Sequence, residues 1–481
     1  MSVNAPVNVF DGPVVVVGAG VAGLVTAHLL AESGVKVIVV EKFTKVGGLA
    51  RSYVYDDFVF DVGPHRFHTE NPNIKAYLDR VLEGHATAFP RKSEVYFSGK
   101  YYRWPLHPKN LVQLPVPLAV KSAMDLAVNG MKTYGNNNFE DYVLKQYGPT
   151  LYEHFFRGYS VKFLGIHPRQ THPDWAKVGI NRAIIDDKLQ MQNLAQLAKS
   201  TLLQYNKSEI DFIYPKGGLH VTWQKVSEML QRHGGRIVTG TGARLIPGER
   251  NGVKRIAAVE FGAPGAEERI EPSAVIWTAP ITLACDQLGL DKPDLPYLST
   301  LLYNVLVKGD VPRKYQWCYY GADDLVFSRV SIPRYFSDDT VPRGATGLCV
   351  EITCREGDER WQHGERLTSA VVADLVKVGM VRSRKDVENV YLERVPHSYP
   401  IYHTSYPQHL EVARKGLAKY ENLQLAGRTG MFWYNNMDHS MENAMQLTRK
   451  LLRDAGRSDS EEGALAAGGP GTQAEPKQKA G

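Results

Sequence analysis

The stretch that most constrains this chain is PVVVVGAGVAGLVTAHLLAESGVKVIVVEK, residues 13–42. Its opening run is β-branched and free of polar side chains, which suits a strand buried on both faces. The following segment carries apolar residues at helical spacing and stops at Gly34, and VKVIVVEK reads as a second buried strand. Two parallel strands joined by a helix form one right-handed crossover unit. Between the first strand and the helix, Gly18, Gly20 and Gly23 stand in the order G-x-G-x-x-G. The first glycine permits a tight turn, the second lets backbone approach a pyrophosphate, and the third lets helix and strand pack closely. The helix start adds free N–H groups and the positive end of its dipole. Glu41, with Lys42 beside it, ends the second strand, where a carboxylate receives ribose hydroxyls. A dinucleotide is the expected ligand.

Other segments repeat this strand-to-glycine logic: GGRIVTGTGARLIP, RIAAVEF, AVIWTAP at 274–280 and LQLAGRTG at 423–430 are expected to return to the same layer. Residues 105–213 are mostly helical in pattern, and residues 295–400 read as strands and turns. The 481 residues exceed one small core. The plan that follows is a dinucleotide domain in three pieces, 1–104, 214–294 and 396–455. It is interrupted by a substrate domain made of a helical insertion, 105–213, and a sheet, 295–395. Residues 456–481, rich in Gly, Ala, Pro and charge, read as a disordered tail.

Composition narrows the function classes. The net charge of +6 is spread without a run of Lys or Arg, which argues against nucleic-acid binding. Four cysteines without a C-x-x-C pair read as reduced thiols, and no metal site is expected. The N-terminus has no secretory pattern, and no apolar run approaches the roughly 18 residues of a membrane span. A cytoplasmic protein is expected.

The next residues, EKFTKVGGLARS, place a second glycine pair (Gly47, Gly48), Leu49 and Arg51 after Glu41. Near the other end, LAGRTGMFWYNNMDHSMENAMQL sets Arg428 after a strand and Met437-Asp438 before a periodic helix. Together these resemble the extended glycine–arginine signature, of the GR2 type, found in the superfamily of amine oxidases, protoporphyrinogen oxidases and UDP-galactopyranose mutases. The resemblance implies FAD. It also implies an α/β fold: a Rossmann-like FAD-binding domain with an inserted helical and sheet substrate domain.

Four segments sharpen it. GPHRFHTEN (63–71) resembles the histidine loop of bacterial UDP-galactopyranose mutases, and 151–180 resembles their helical segment beside the active site. YPKGGLHVTWQKVSEML (214–230) matches a turn and helix shared with the oxidases, and GRTGMFWYNNMD (427–438) resembles the mutase C-terminal signature. There Phe432-Trp433-Tyr434 replaces the usual Tyr-Arg-Tyr, and Asn436 stands where aspartate is common. The resemblance implies a pyranose–furanose mutase acting on a nucleotide-diphosphate sugar. In such enzymes N5 of the reduced flavin attacks the anomeric carbon, with no net redox change. An oxidase or desaturase of the protoporphyrinogen oxidase type is the alternative. By the same resemblance, Gly63, Pro64 and His65 lie against the flavin, and His65, His68 and Tyr434 are the catalytic candidates. Arg66, Arg182, Trp175, Tyr402 and Tyr434 are candidates for binding substrate. A separate reductant of the flavin, NAD(P)H or a reductase, is the other expected partner.

Overall fold

A computed structural model describes residues 10–104, 114–129, 131–176 and 211–456. Arg182 and nearly all of the C-terminal tail lie outside these residues. Five parallel strands form the first layer, in the order Leu423–Leu425, Ala274–Trp277, β1 (Val14–Val17), β2 (Val37–Glu41) and Arg236–Thr239. All four residues of β1 are buried, as the unbroken apolar run predicts. Helix α1 (Val21–Glu32) crosses between β1 and β2, and Gly34, at φ 77°, ends it in the left-handed conformation. The helices His220–Arg232 and Met437–Asp454 pack against α1, and their apolar faces share one core with β1 and β2.

The strands at 244–263 depart from the expected layer. Arg244–Arg250, Val253–Ala263 and Ala266–Ile270 form a separate antiparallel three-stranded sheet. Their residues alternate between buried and exposed, which marks a sheet wetted on one side rather than a strand of the doubly covered layer.

The second domain is a seven-stranded sheet, in the order Val387–Pro400, Tyr297–Lys308, Ala345–Cys354, Arg329–Ser331, Trp317–Tyr320, Ser93–Phe97 and Lys100–Trp104. All its pairings are antiparallel except that of Trp317–Tyr320 with Ser93–Phe97. The hairpin Ser93–Trp104, placed with the dinucleotide domain on sequence grounds, therefore pairs into the seven-stranded sheet. Its partner strand lies more than two hundred residues away, so no local pattern reveals the pairing.

Helices cover one end of this sheet. Phe139–Leu151 is broken at Gly148, which has φ 76° and precedes Pro149. A single π-turn, Tyr152–Arg157, and the helix Gly158–Leu164 follow. The widened turn lets the consecutive Phe155 and Phe156 both reach one cavity.

Candidate active site

Two glycine loops meet at the start of α1. Gly20 bridges Gly47, and the Gly47 N–H donates to the Ala19 carbonyl at 2.8 Å. Gly18 needs its freedom, since its φ is 103° and a methyl there would collide with the Thr278 hydroxyl. A Cβ on Gly48 would lie 2.8 Å from the Gly20 Cα, whereas one on Gly20 meets nothing nearer than 3.8 Å. The two loops are thus pressed together with open space in front of Gly20. That is the cradle a pyrophosphate fills, and α1 begins there with no side-chain cap.

Glu41 sits at the rim, its carboxylate accepting from the N–H groups of Ala19 at 2.6 Å and Phe43 at 2.9 Å. Each oxygen retains a lone pair for a hydroxyl donor. Arg51 donates to the Gly48 carbonyl at 2.9 Å and lies over the Phe43 ring, while Trp223 donates to Ala50 and props the second loop. Lys42 is exposed and Leu49 half-buried. From the far end of the chain, Gly427 approaches α1 so closely that a Cβ on it would lie 3.1 Å from the Ala22 Cβ. Arg428 is held by the carbonyls of Ser398 at 3.1 Å and Asn435 at 2.5 Å. Met437 packs in the core, and Asp438 stands in the first turn of its helix. The residues present fit a dinucleotide.

The histidine loop leaves the strand Phe58–Asp61 through Gly63, at φ 77°. It is pinned by paired backbone bonds between Phe67 and Ile213. A Cβ on Gly63 would lie 3.0 Å from the Glu351 carboxylate, so this turn rests directly on the second sheet. His65 is held neutral down to about pH 3, first by burial and then by the charges of Arg428, Arg329 and Arg66. Its Nδ1 is sealed from solvent without a hydrogen-bond partner. Arg66 is clamped between Phe212 and Trp317, 4.7 Å from each ring centroid. Its one hydrogen bond goes to the Pro64 carbonyl at 3.2 Å, and its Nε is sealed and unpartnered. Burial lowers its pKa, with Arg329 acting in the same direction and Asp438 against it. His68 packs edge-on against Phe212, and burial lowers its pKa too.

Beside this loop lies a cavity of about 460 Å³ walled by Trp104, Phe156, Tyr159, Trp175, Arg329 and Tyr434, among others. Trp175 and Tyr434 stack with centroids 5.0 Å apart and planes 14° from parallel. Arg329 meets Glu351 through two 2.5 Å bonds and donates to the Tyr399 hydroxyl at 2.9 Å. Tyr402 stands behind the cavity: buried, stacked on Tyr406, with its hydroxyl accepting from the Tyr434 N–H at 2.8 Å. It positions Tyr434 through the backbone.

Residues 16–81 match the family described as the NAD(P)-binding Rossmann-like domain. A Klebsiella pneumoniae protein named "Probable UDP-galactopyranose mutase" is 28% identical over 166 residues, 33% of this chain and 42% of that protein. The dTDP-fucopyranose mutase of Escherichia coli is 28% identical over 167 residues, 33% of this chain and 43% of that enzyme. The matched part of the chain thus spans less than half the length of these relatives. Across the structure the likeness is wider. The crystal structure of reduced UDP-galactopyranose mutase superposes with a TM-score of 0.77 over 94% of this chain and 96% of that one, at 22% identity. The fold is that of UDP-galactopyranose mutase.

Within that fold, the glycine loops, Glu41, Arg51 and the Gly427–Arg428 turn converge on α1, while Trp175 and Tyr434 line the cavity and the loop carrying His65 and Arg66 adjoins it at Arg329. Sequence reasoning missed Arg329, Glu351, Tyr399 and Tyr159. One signal was present: Glu351 is a lone carboxylate in GLCVEITC, a run otherwise fit for a buried strand. A buried charge requires a buried partner.

Proposed function

We propose that this protein is an FAD-dependent pyranose–furanose mutase acting on a nucleotide-diphosphate sugar. The observation that carries this reading is Arg66, a half-buried cation clamped between two rings, with a sealed, unpartnered Nε and no carboxylate paired to it among the described residues. Folding gains little from such a group, and an anionic ligand gives it a partner. Arg329 stands at the wall of the neighbouring cavity with Tyr159, Trp175 and Tyr434, a set suited to a polar sugar diphosphate.

In this reading the glycine loops, the start of α1, Glu41 and Arg51 hold the dinucleotide, and the Gly427–Arg428 turn closes over it. FAD, when bound and reduced, supplies a nucleophilic nitrogen for the anomeric carbon. The chain supplies binding and orientation. Arg66 and Arg329 hold the diphosphate, Tyr434 and Trp175 wall the sugar or base, and Gly63-Pro64 presses the histidine loop towards the ring. A neutral His65 offers one hydrogen bond without adding charge where Arg66, Arg329 and Arg428 already crowd. His68 lies one layer further out, against Phe212. Four buried free cysteines suit a reducing cytoplasm, where NAD(P)H or a reductase would keep the flavin reduced.

One observation favours the oxidase reading: Phe97, Phe139, Phe155, Phe156 and Phe163 line the cavity as well. Incubating dithionite-reduced protein with a panel of UDP-, dTDP- and GDP-sugars separates the two. Isomer formed only under reduction supports the mutase. A substrate that bleaches the oxidised flavin, with no isomer formed, supports the oxidase.

A further inference from the structure

We infer that His28, Glu32 and His233 form a site for a divalent transition-metal cation of the zinc class, at the end of α1 remote from the dinucleotide. His28 and Glu32 are four residues apart on the last turn of α1, so both project from one helix face. His233 caps the C-terminus of the neighbouring helix His220–Arg232. One ligand atom from each of the three falls within 4.8 Å of the others.

The second observation is the state of His28. The residue is fully buried, its Nδ1 lies 3.0 Å from the Tyr77 hydroxyl, and its Nε2 is sealed with no hydrogen-bond partner. With a cation on Nε2 the ring takes the tautomer whose Nδ1–H donates to Tyr77. That is the outer hydrogen bond metal-bound imidazoles usually make.

Two imidazoles and one carboxylate are a zinc-class donor set that leaves a fourth position for water. At about 2.1 Å from each donor, a tetrahedral cation separates donor atoms by roughly 3.4 Å. The trio therefore needs to close by at most about 1.4 Å. His233 is exposed and Glu32 half-buried, so both have room to move towards the fixed His28. A groove lined by Arg80, Glu83, Lys225, Glu228, Arg232 and His233 gives access from solvent.

The opposing term is Arg80, which pairs with Glu32 at 2.5 Å and 3.2 Å. A cation must share or displace that pair, which makes Arg80 the local control on affinity. The bound ion would staple α1 to the helix His220–Arg232, about 12–18 Å along α1 from Gly20.

The test is calorimetric titration of the EDTA-treated flavoprotein with Zn²⁺, with metal content measured after gel filtration. One equivalent is expected. His233→Gln and Glu32→Gln should each weaken binding on the order of tenfold or more. Arg80→Gln should strengthen it, and His167→Gln, remote from the trio, should leave it unchanged. His233→Gln and Glu32→Gln suffice even if His28→Gln does not fold. Wild-type binding in His233→Gln, weaker binding in Arg80→Gln, or equal uptake by every variant would overturn the site.

Discussion

Replacing Arg66 by Met should move stability and ligand binding in opposite directions or leave stability alone. In the free protein Arg66 makes one long hydrogen bond, to the Pro64 carbonyl, and buries its Nε without a partner. An unsatisfied buried polar group costs about 1–3 kcal/mol. Stacking of the guanidinium on Phe212 and Trp317 recovers about 0.5–2 kcal/mol per ring. Methionine fills the same slot, and its sulfur–aromatic contacts return about 0.3–1.5 kcal/mol. The balance for Arg66→Met lies within about 1 kcal/mol of zero, with a gain in stability as the favoured sign. Against a nucleoside diphosphate the variant loses at least one charge-assisted bond, worth about 1.5–3 kcal/mol, so binding falls by roughly ten- to a hundredfold. Urea unfolding without nucleotide and calorimetric titration with UDP read the two effects on one preparation. A variant destabilised by more than about 2 kcal/mol that still binds UDP as wild type would show that Arg66 serves the fold and not the diphosphate.

Three further outcomes follow from other parts of the structure. Gly23→Ala drives a methyl into the Gly18 carbonyl and forces α1 off β1. It should cost about 1–3 kcal/mol and give protein with little or no bound flavin, read from the absorbance ratio after purification. Asp61 is buried and its pKa is raised from 3.8 to about 6, mainly by desolvation. A raised folded value means that its favourable contribution is full below 3.8 and is lost as pH rises through about 6, a swing of roughly 3 kcal/mol. The stability of wild type relative to Asp61→Asn, measured by urea unfolding, should therefore rise as pH falls from neutrality to about 4. His65→Ala should keep its FAD and lose most turnover. In the wild type, the pH–rate profile should show no limb from His65 near pH 6.5, because burial and three arginines hold that ring neutral down to about pH 3.

What was legible in the sequence was local. β1, α1, β2 and both glycine loops lie within residues 14–51, where strand burial, helical spacing and the needs of a phosphate are written side by side. The histidine loop stood out only by resemblance, as one short contiguous segment. The second sheet was not, because its pairings join distant segments: Trp317–Tyr320 lies against Ser93–Phe97, and Tyr399 reaches Arg329 across 70 residues. The hairpin at 244–263 misled because apolar alternation fixes a strand but not its layer. Only its one-sided burial shows that it stands apart. Tyr402 illustrates the same limit, since an aromatic residue near a site reads alike whether it lines the cavity or braces the residue that does.

On the proposed function the protein isomerises its substrate without net redox change on a flavin held by these loops. The direct measurement follows the absorbance of the bound, prereduced flavin under anaerobic conditions while the sugar product of a UDP- or dTDP-hexopyranose is resolved by chromatography. Many turnovers to the furanose isomer, with the spectrum unchanged from start to finish and no product from the oxidised protein, are predicted. Product formed only in step with a change in flavin oxidation state, or no isomer from the reduced protein with any nucleotide sugar, would contradict it.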